Sequence, residues 1–170
     1  MSPSDRARDL QLHFLRHADA GDPEAWTGPD AARPLSPKGE RQAERLGAFL
    51  AEVAFRPDAM ISSPKLRARQ TADIVAGAIG IAVREDERLA SGFDPETVDA
   101  ILVDAGRPQR PVLVGHDPDF SQVLGWLAGA DGLTMKKGAF ARVDVRGPVG
   151  EGRGTLRWLV APDLLDPGRR

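Results

Sequence analysis

The chain has 170 residues, 41% hydrophobic and 28% charged, with a formal net charge of −2 and no cysteine. That length and balance suit one soluble globular domain with a proper core. The charge gives no global field to hold nucleic acid, so an anion site must be a local cluster of cations, and the missing cysteine excludes disulfides, zinc–thiolate centres and thiol nucleophiles.

Leu10, Leu12 and Phe14 alternate with Gln11 and His13, which predicts a strand over 10–16 ending at Arg16-His17. A buried strand usually runs out into Gly, Asn or Asp. A cation beside an imidazole at that point suggests a negative ligand. Residues 18–35 are rich in Asp, Gly, Pro and Ala without a period, and read as a loop long enough to be a lid. Ser36-Pro37 opens a helix with Ala43, Leu46, Leu50 and Val53 as its apolar stripe, ended by Phe55-Arg56-Pro57.

The same grammar repeats. A strand over 58–62 precedes a helix opened by Ser63-Pro64 and running to about Gly77. A brief strand over 81–83 precedes a helix from Asp94-Pro95 to about Ala105. The strongly apolar strand 111–116 precedes a helix from Asp117-Pro118 to about Ala128. Two alternating segments follow. Ala139, Ala141, Val143 and Val145 share one face of 139–146; Leu156, Trp158 and Val160 share one face of 155–160; and GPVGEGRG (147–154) joins them as a hairpin.

The pattern predicts an α/β fold: a three-layer α/β/α sandwich with a mostly parallel central sheet and a C-terminal antiparallel hairpin. It fits a single domain over 1–170, with ends near 1–8 and 163–170 expected to be flexible. MSPSDRARDLQ lacks an apolar signal core and no apolar run reaches a membrane span, so a cytoplasmic monomer with no membrane or nucleic-acid partner is the expectation.

Ligands of such sheets bind beyond the carboxyl ends of the strands. One predicted strand ends in Arg16-His17, another in Ser62-Ser63 with Arg67 one helical turn later, and a third in His116. If these ends are neighbours, two Arg and two His converge, a donor set suited to a phosphoryl group. Alone, Arg16 could be a strand-end cation and His116 a satisfied turn histidine; their joint placement favours a site.

LRHADA, SSPKLRARQTA and VLVGHDP, with RPLSPKGERQA (33–43) between the first two, resemble the ordered motifs of the histidine phosphatase superfamily, the phosphoglycerate-mutase-like proteins. The short length resembles the SixA-type phosphohistidine phosphatases. The resemblance implies that His17 is the nucleophile that becomes phosphorylated, that Arg16 and Arg67 hold the phosphoryl oxygens, and that His116 donates to them in the transition state. Ser36 is a further candidate for substrate contact, and Asp19 and Asp117 either line the site or, for Asp117, cap the helix at Pro118.

The implied activity is that of a metal-independent, cofactor-free phosphatase working through phospho-His17. Its partner would be a phosphorylated protein bearing phosphohistidine, or alternatively a small phosphate ester. A non-catalytic phosphate-binding adaptor ranks below both, because both His and both Arg are present. Cations beside His17 predict a neutral, nucleophilic imidazole. Ala18 stands where the family signature has Gly. The general acid of larger members has no firm counterpart, although Asp86 and Glu87 lie in the corresponding stretch. A departing imidazole needs less protonation than an alkoxide, which favours a phosphoramidate substrate. His13 and His17 form H-x-x-x-H, but on a strand they lie about 13 Å apart, so a packing role for His13 outweighs a metal site. Gln70 and Thr71, three and four residues after Arg67, are placed to fix it.

Overall fold

The computed structural model describes residues 9–168. Its strands are β1 (Leu10–Arg16), β2 (Ala59–Ser62), β3 (Val83–Glu85), β4 (Pro111–Gly115), β5 (Phe140–Val145) and β6 (Gly154–Val160). They form one six-stranded sheet in the order β3-β2-β4-β1-β5-β6. The first four are mutually parallel, while β5 pairs antiparallel with β1 and β6 antiparallel with β5. The helices are α1 (Pro37–Glu52), α2 (Leu66–Ile79), α3 (Pro95–Asp104) and α4 (Asp119–Ala128).

The two-residue period of β1 sorts the core into two layers. Leu12 and Phe14 join Val98 and Ile101 of α3 and Phe120 and Leu124 of α4 on one face. Leu15 joins Leu46 and Leu50 of α1 and Ala68 and Val75 of α2 on the other. Apolar burial on both faces of a parallel sheet gives the expected three-layer sandwich. Among the described residues, no helix is long and apolar enough to cross a membrane.

Several boundaries differ from expectation for identifiable reasons. Helix α2 begins at Leu66, not at Ser63-Pro64, and Ser63 does not cap it: the N-cap position falls to Lys65, which makes no side-chain cap. It also runs past Gly77 to Gly80, whose φ of +74° supplies the left-handed C-cap. Strand β3 lies at 83–85 rather than 81–83, because its ladder to β2 pairs Met60 with Val83 and Ser62 with Glu85. Val53 is the C-cap of α1 and 55% exposed, so it drops out of the predicted stripe.

In the hairpin, Leu156 and Trp158 pack on opposite faces of the sheet rather than sharing one. Val143 pairs with Leu156 and Arg142 with Trp158, so Arg157 is the extra residue of a bulge that breaks the alternation. Of the ends expected to be flexible, 1–8 and 169–170 lie outside the described residues, and 163–168 make specific contacts. Pro162–Leu165 form a 3-10 turn, Leu165 packs against the α1–α2 layer, and Asp166 lies 3.4 Å from Arg45.

Candidate active site

The strand order makes β2, β4 and β1 consecutive, so their carboxyl ends are neighbours. Backbone bonds fix the residues just beyond them: His17 N–H donates to Gly115 O at 2.9 Å, and Ser63 N–H to Val114 O at 2.9 Å. His17 and His116 come together with ring centroids 5.2 Å apart. Arg67 enters from the first turn of α2. His17, Arg67 and His116 are 5%, 6% and 8% exposed, so the cluster is almost wholly withdrawn from water.

A hydrogen bond sets the tautomer of His17. His17 Nδ1 lies 2.7 Å from Ala18 O. A carbonyl can only accept, so Nδ1 carries the proton and Nε2 keeps its lone pair. Ala18 lies outside the left-handed region and tolerates its side chain, which is fully buried. His116 Nε2 lies 2.8 Å from Ser63 Oγ. Ser63 thus holds the second imidazole, a role its reading as a helix cap obscured.

Both imidazoles are neutral at ordinary pH. Burial pushes His17 down to about 3, helped by the Arg67 and Arg16 cations and opposed by the bond to Ala18. Burial also pushes His116 down to about 3, helped by His17, Arg67 and Lys65. The neighbouring cations act in the direction the sequence predicts, but desolvation is the larger cause.

Arg16 donates through Nη1 to Met135 O at 2.6 Å and faces Asp117 Oδ2 at 3.5 Å. Arg67 donates through Nη1 to Asp30 O at 2.9 Å and through Nη2 to Asp30 Oδ2 at 3.0 Å. Arg16 Nε, Arg67 Nε and His116 Nδ1 are buried without a hydrogen-bond partner. Each such atom costs about 1–3 kcal/mol. Arg67 and Arg16 both act electrostatically on His17, and His116 lies beside it, so these atoms belong to side chains of one cluster.

The surrounding residues are sorted by their bonds. Thr71 Oγ1 accepts from Ala18 N–H at 3.1 Å and donates to Arg67 O at 2.7 Å, tying both halves of the cluster together. Gln70 Oε1 instead accepts from Leu35 N–H at 2.8 Å and anchors the end of the 18–35 loop. Ser36, a candidate substrate contact by sequence, is the N-cap of α1. Its Oγ accepts from Gly39 N–H at 3.1 Å and donates to Asp19 Oδ2 at 2.6 Å, which commits the hydroxyl to holding the loop. A Cβ on Gly39 would collide with the Asp19 carbonyl, so only glycine lets the loop sit on this helix. Asp117 faces Arg16 and also accepts from Ser121 N–H at 3.1 Å in the first turn of α4, but the helix starts at Asp119 and its N-cap position falls to Pro118, not to Asp117.

Of the two carboxylates near the sequence's open general-acid position, Asp86 is bound to Arg88, whose hydrogen bond holds it below the usual carboxylate range. Glu87 is exposed. Asp30, inside a 3-10 turn at Asp30–Ala32, was hidden in sequence because the 18–35 loop has no period to single it out. His13 is buried against Phe55, Phe140 and Trp158 with Nδ1 3.0 Å from Pro111 O, and burial pushes it down to about 4. Among the described residues, no group of three or more His, Asp or Glu is arranged to hold a metal ion.

Two guanidinium groups beside two neutral imidazoles suit an oxyanion, and the chain is similar to known proteins. Residues 12–91 match the histidine phosphatase superfamily (branch 1). An uncharacterised protein of Picosynechococcus sp. is 33% identical over 119 residues, covering 66% of this chain and 70% of that protein. The chain belongs to the histidine phosphatase superfamily. Its fold also resembles the crystal structure of the candidate phosphohistidine phosphatase SixA from Agrobacterium tumefaciens. That match has a TM-score of 0.76 at 27% identity, over 90% of this chain and 98% of the other. The protein histidine phosphatase SixA complexed with tungstate gives a TM-score of 0.79 at 23% identity, over 92% of this chain and all (100%) of the other.

Proposed function

We propose that the chain is a metal-independent phosphatase that removes phosphate from phosphohistidine on a protein, through phospho-His17. The observation that carries this is the neutral His17, with its Nε2 lone pair free, in one cluster with the unpartnered Nε atoms of Arg16 and Arg67 and the unpartnered Nδ1 of His116. In the first step Nε2 attacks phosphorus and the N–P bond of a ring-protonated phosphohistidine breaks, so the bond's electron pair stays on nitrogen and the imidazole departs neutral. In the second, water attacks phosphorus, phosphate leaves, and His17 is regenerated. Splitting the hydrolysis this way lowers each barrier. The transferring group needs positioning and charge compensation, which two guanidinium groups and an imidazole N–H can supply.

A phosphoramidate substrate is favoured by the state of the nearby carboxylates. Burial alone would raise Asp30, but the hydrogen bond and charge of Arg67, with Lys65 and Arg33, outweigh it and keep Asp30 ionised. Asp86 is ionised by Arg88. Neither is a proton donor for an alkoxide leaving group, and an imidazole leaving group needs none as strong.

The test is phosphate release in EDTA from a phosphohistidine-bearing protein and from a panel of phosphate monoesters, with His17→Ala alongside. Release from phosphohistidine, lost in His17→Ala and indifferent to EDTA, is the expected result. Faster turnover of a monoester would assign the small-ester activity and make Glu87→Gln the next variant. Phosphate binding without release would assign the adaptor role.

A further inference from the structure

A second cationic feature adjoins the cluster and is not used by the chemistry above. A cavity of about 590 Å³ opens beside Arg16. One wall is the face of α1 that carries Lys38, Arg41 and Arg45, spaced at helical intervals; the opposite wall carries Lys136 and Lys137. From Lys38 to Arg45 this wall extends roughly 10 Å along the helix axis. With Arg16 there are six cations against three carboxylates, Asp19, Asp163 and Asp166. In a chain of net charge −2, that local excess is a concentrated positive field.

The carboxylates neutralise only part of it. Arg45 lies 3.4 Å from Asp166, Lys137 3.7 Å from Asp19 and Lys136 3.9 Å from Asp163, all loose contacts between partly exposed groups. Lys38 and Arg41 are exposed and, among the described residues, have no ion pair. Apart from Arg16, none of these cations is buried in a fixed fork as Arg67 is. Their heads are exposed or half-buried, and they are strung along a wall instead of clasping one point. This suits several carboxylates on an extended chain better than one compact phosphate.

We infer that this groove binds an acidic segment flanking the phosphohistidine of the protein substrate, running from Arg16 along the Lys38–Arg41–Arg45 face of α1. The inference deepens the phosphohistidine reading and rests on it for the substrate, but the groove has its own readout. Two synthetic phosphohistidine peptides, identical except for a flanking run of Glu or of Gln, would be compared on the full chain. The expected kcat/KM is about 5-fold higher for the Glu peptide, from a few exposed ion pairs, and the preference fades at high salt. In Lys38→Glu/Arg41→Glu, and separately in Lys136→Glu on the other wall, the ratio falls toward one.

Fluorescence anisotropy of the unphosphorylated Glu peptide reads the groove without any turnover. If neither phosphopeptide is hydrolysed but the Glu peptide binds more tightly than the Gln peptide and Lys38→Glu/Arg41→Glu abolishes the difference, the groove stands and the phosphohistidine reading falls. Equal kcat/KM and equal binding of the two peptides, or a preference untouched by the variants on both walls, overturn the groove.

Discussion

At the scale of single residues, the contact with the largest consequence is Asp30 on Arg67. The side chain and the carbonyl of one loop residue occupy both terminal nitrogens of a guanidinium that a phosphoryl oxygen would use. An anion there competes with the substrate. Asp30 is 57% exposed on its side chain, so the pair is screened and substrate can displace it. Asp30→Asn keeps the shape and removes the charge. The expected outcome is a Ki for inorganic phosphate lowered by up to about 5-fold; an unchanged Ki would place the oxyanion elsewhere. The imidazoles give a second expectation. Because burial holds His17 near 3, its neutral form should persist as pH falls well below the ordinary histidine value of 6.5. Nitrogen-15 chemical shifts of His17 at about pH 5 should show one protonated and one bare nitrogen, and an imidazolium signature would remove the nucleophile.

At the scale of elements, β1 and α2 must be held in register for His17 and Arg67 to serve one phosphoryl group, and Thr71 is the tie. Thr71→Val is nearly isosteric but leaves the buried Ala18 N–H without an acceptor. It should cost about 1–3 kcal/mol of stability in urea denaturation and lower kcat, with Thr71→Ser restoring both. Wild-type kcat in Thr71→Val would mean that the tie is only structural. This is also the scale at which the sequence was most legible. Apolar alternation ending abruptly in Arg16-His17, and the apolar run into His116, located two strand ends because burial on both sheet faces writes itself into consecutive side chains. The bulge at Arg157 was not legible, since it depends on the partner strand's register. Ser63 was misread for a related reason. A Ser-Pro pair looks the same whether its hydroxyl caps a helix or holds a histidine from a strand 53 positions away, and local sequence cannot separate the two.

At the scale of the whole molecule, the chain folds around all three of its histidines, and each is buried with its neutral form favoured. Two belong to the active cluster; His13 belongs to an aromatic layer beneath it, stacked on Phe140 and edge-on to Phe55. Folding therefore withholds protons that the unfolded chain would bind below 6.5. Where the unfolded state binds more protons, stability rises with pH. The stabilisation is complete above about 6.5 and is lost progressively as pH falls toward the folded values near 3 to 4. Carboxylates such as Asp30 and Asp144 are held below their usual range and drain stability only at still lower pH, so the histidines dominate the mildly acid window. His13 offers the clean test, because it lies outside the active cluster. In His13→Leu, the slope of unfolding free energy between about pH 6 and pH 5 should be shallower by roughly 1 kcal/mol per pH unit, whatever the substitution does to stability at neutral pH. Urea titrations at several pH values measure that slope directly. Equal slopes in wild type and variant would mean that His13 already carries its proton in the folded protein, and that the aromatic layer accommodates a cation.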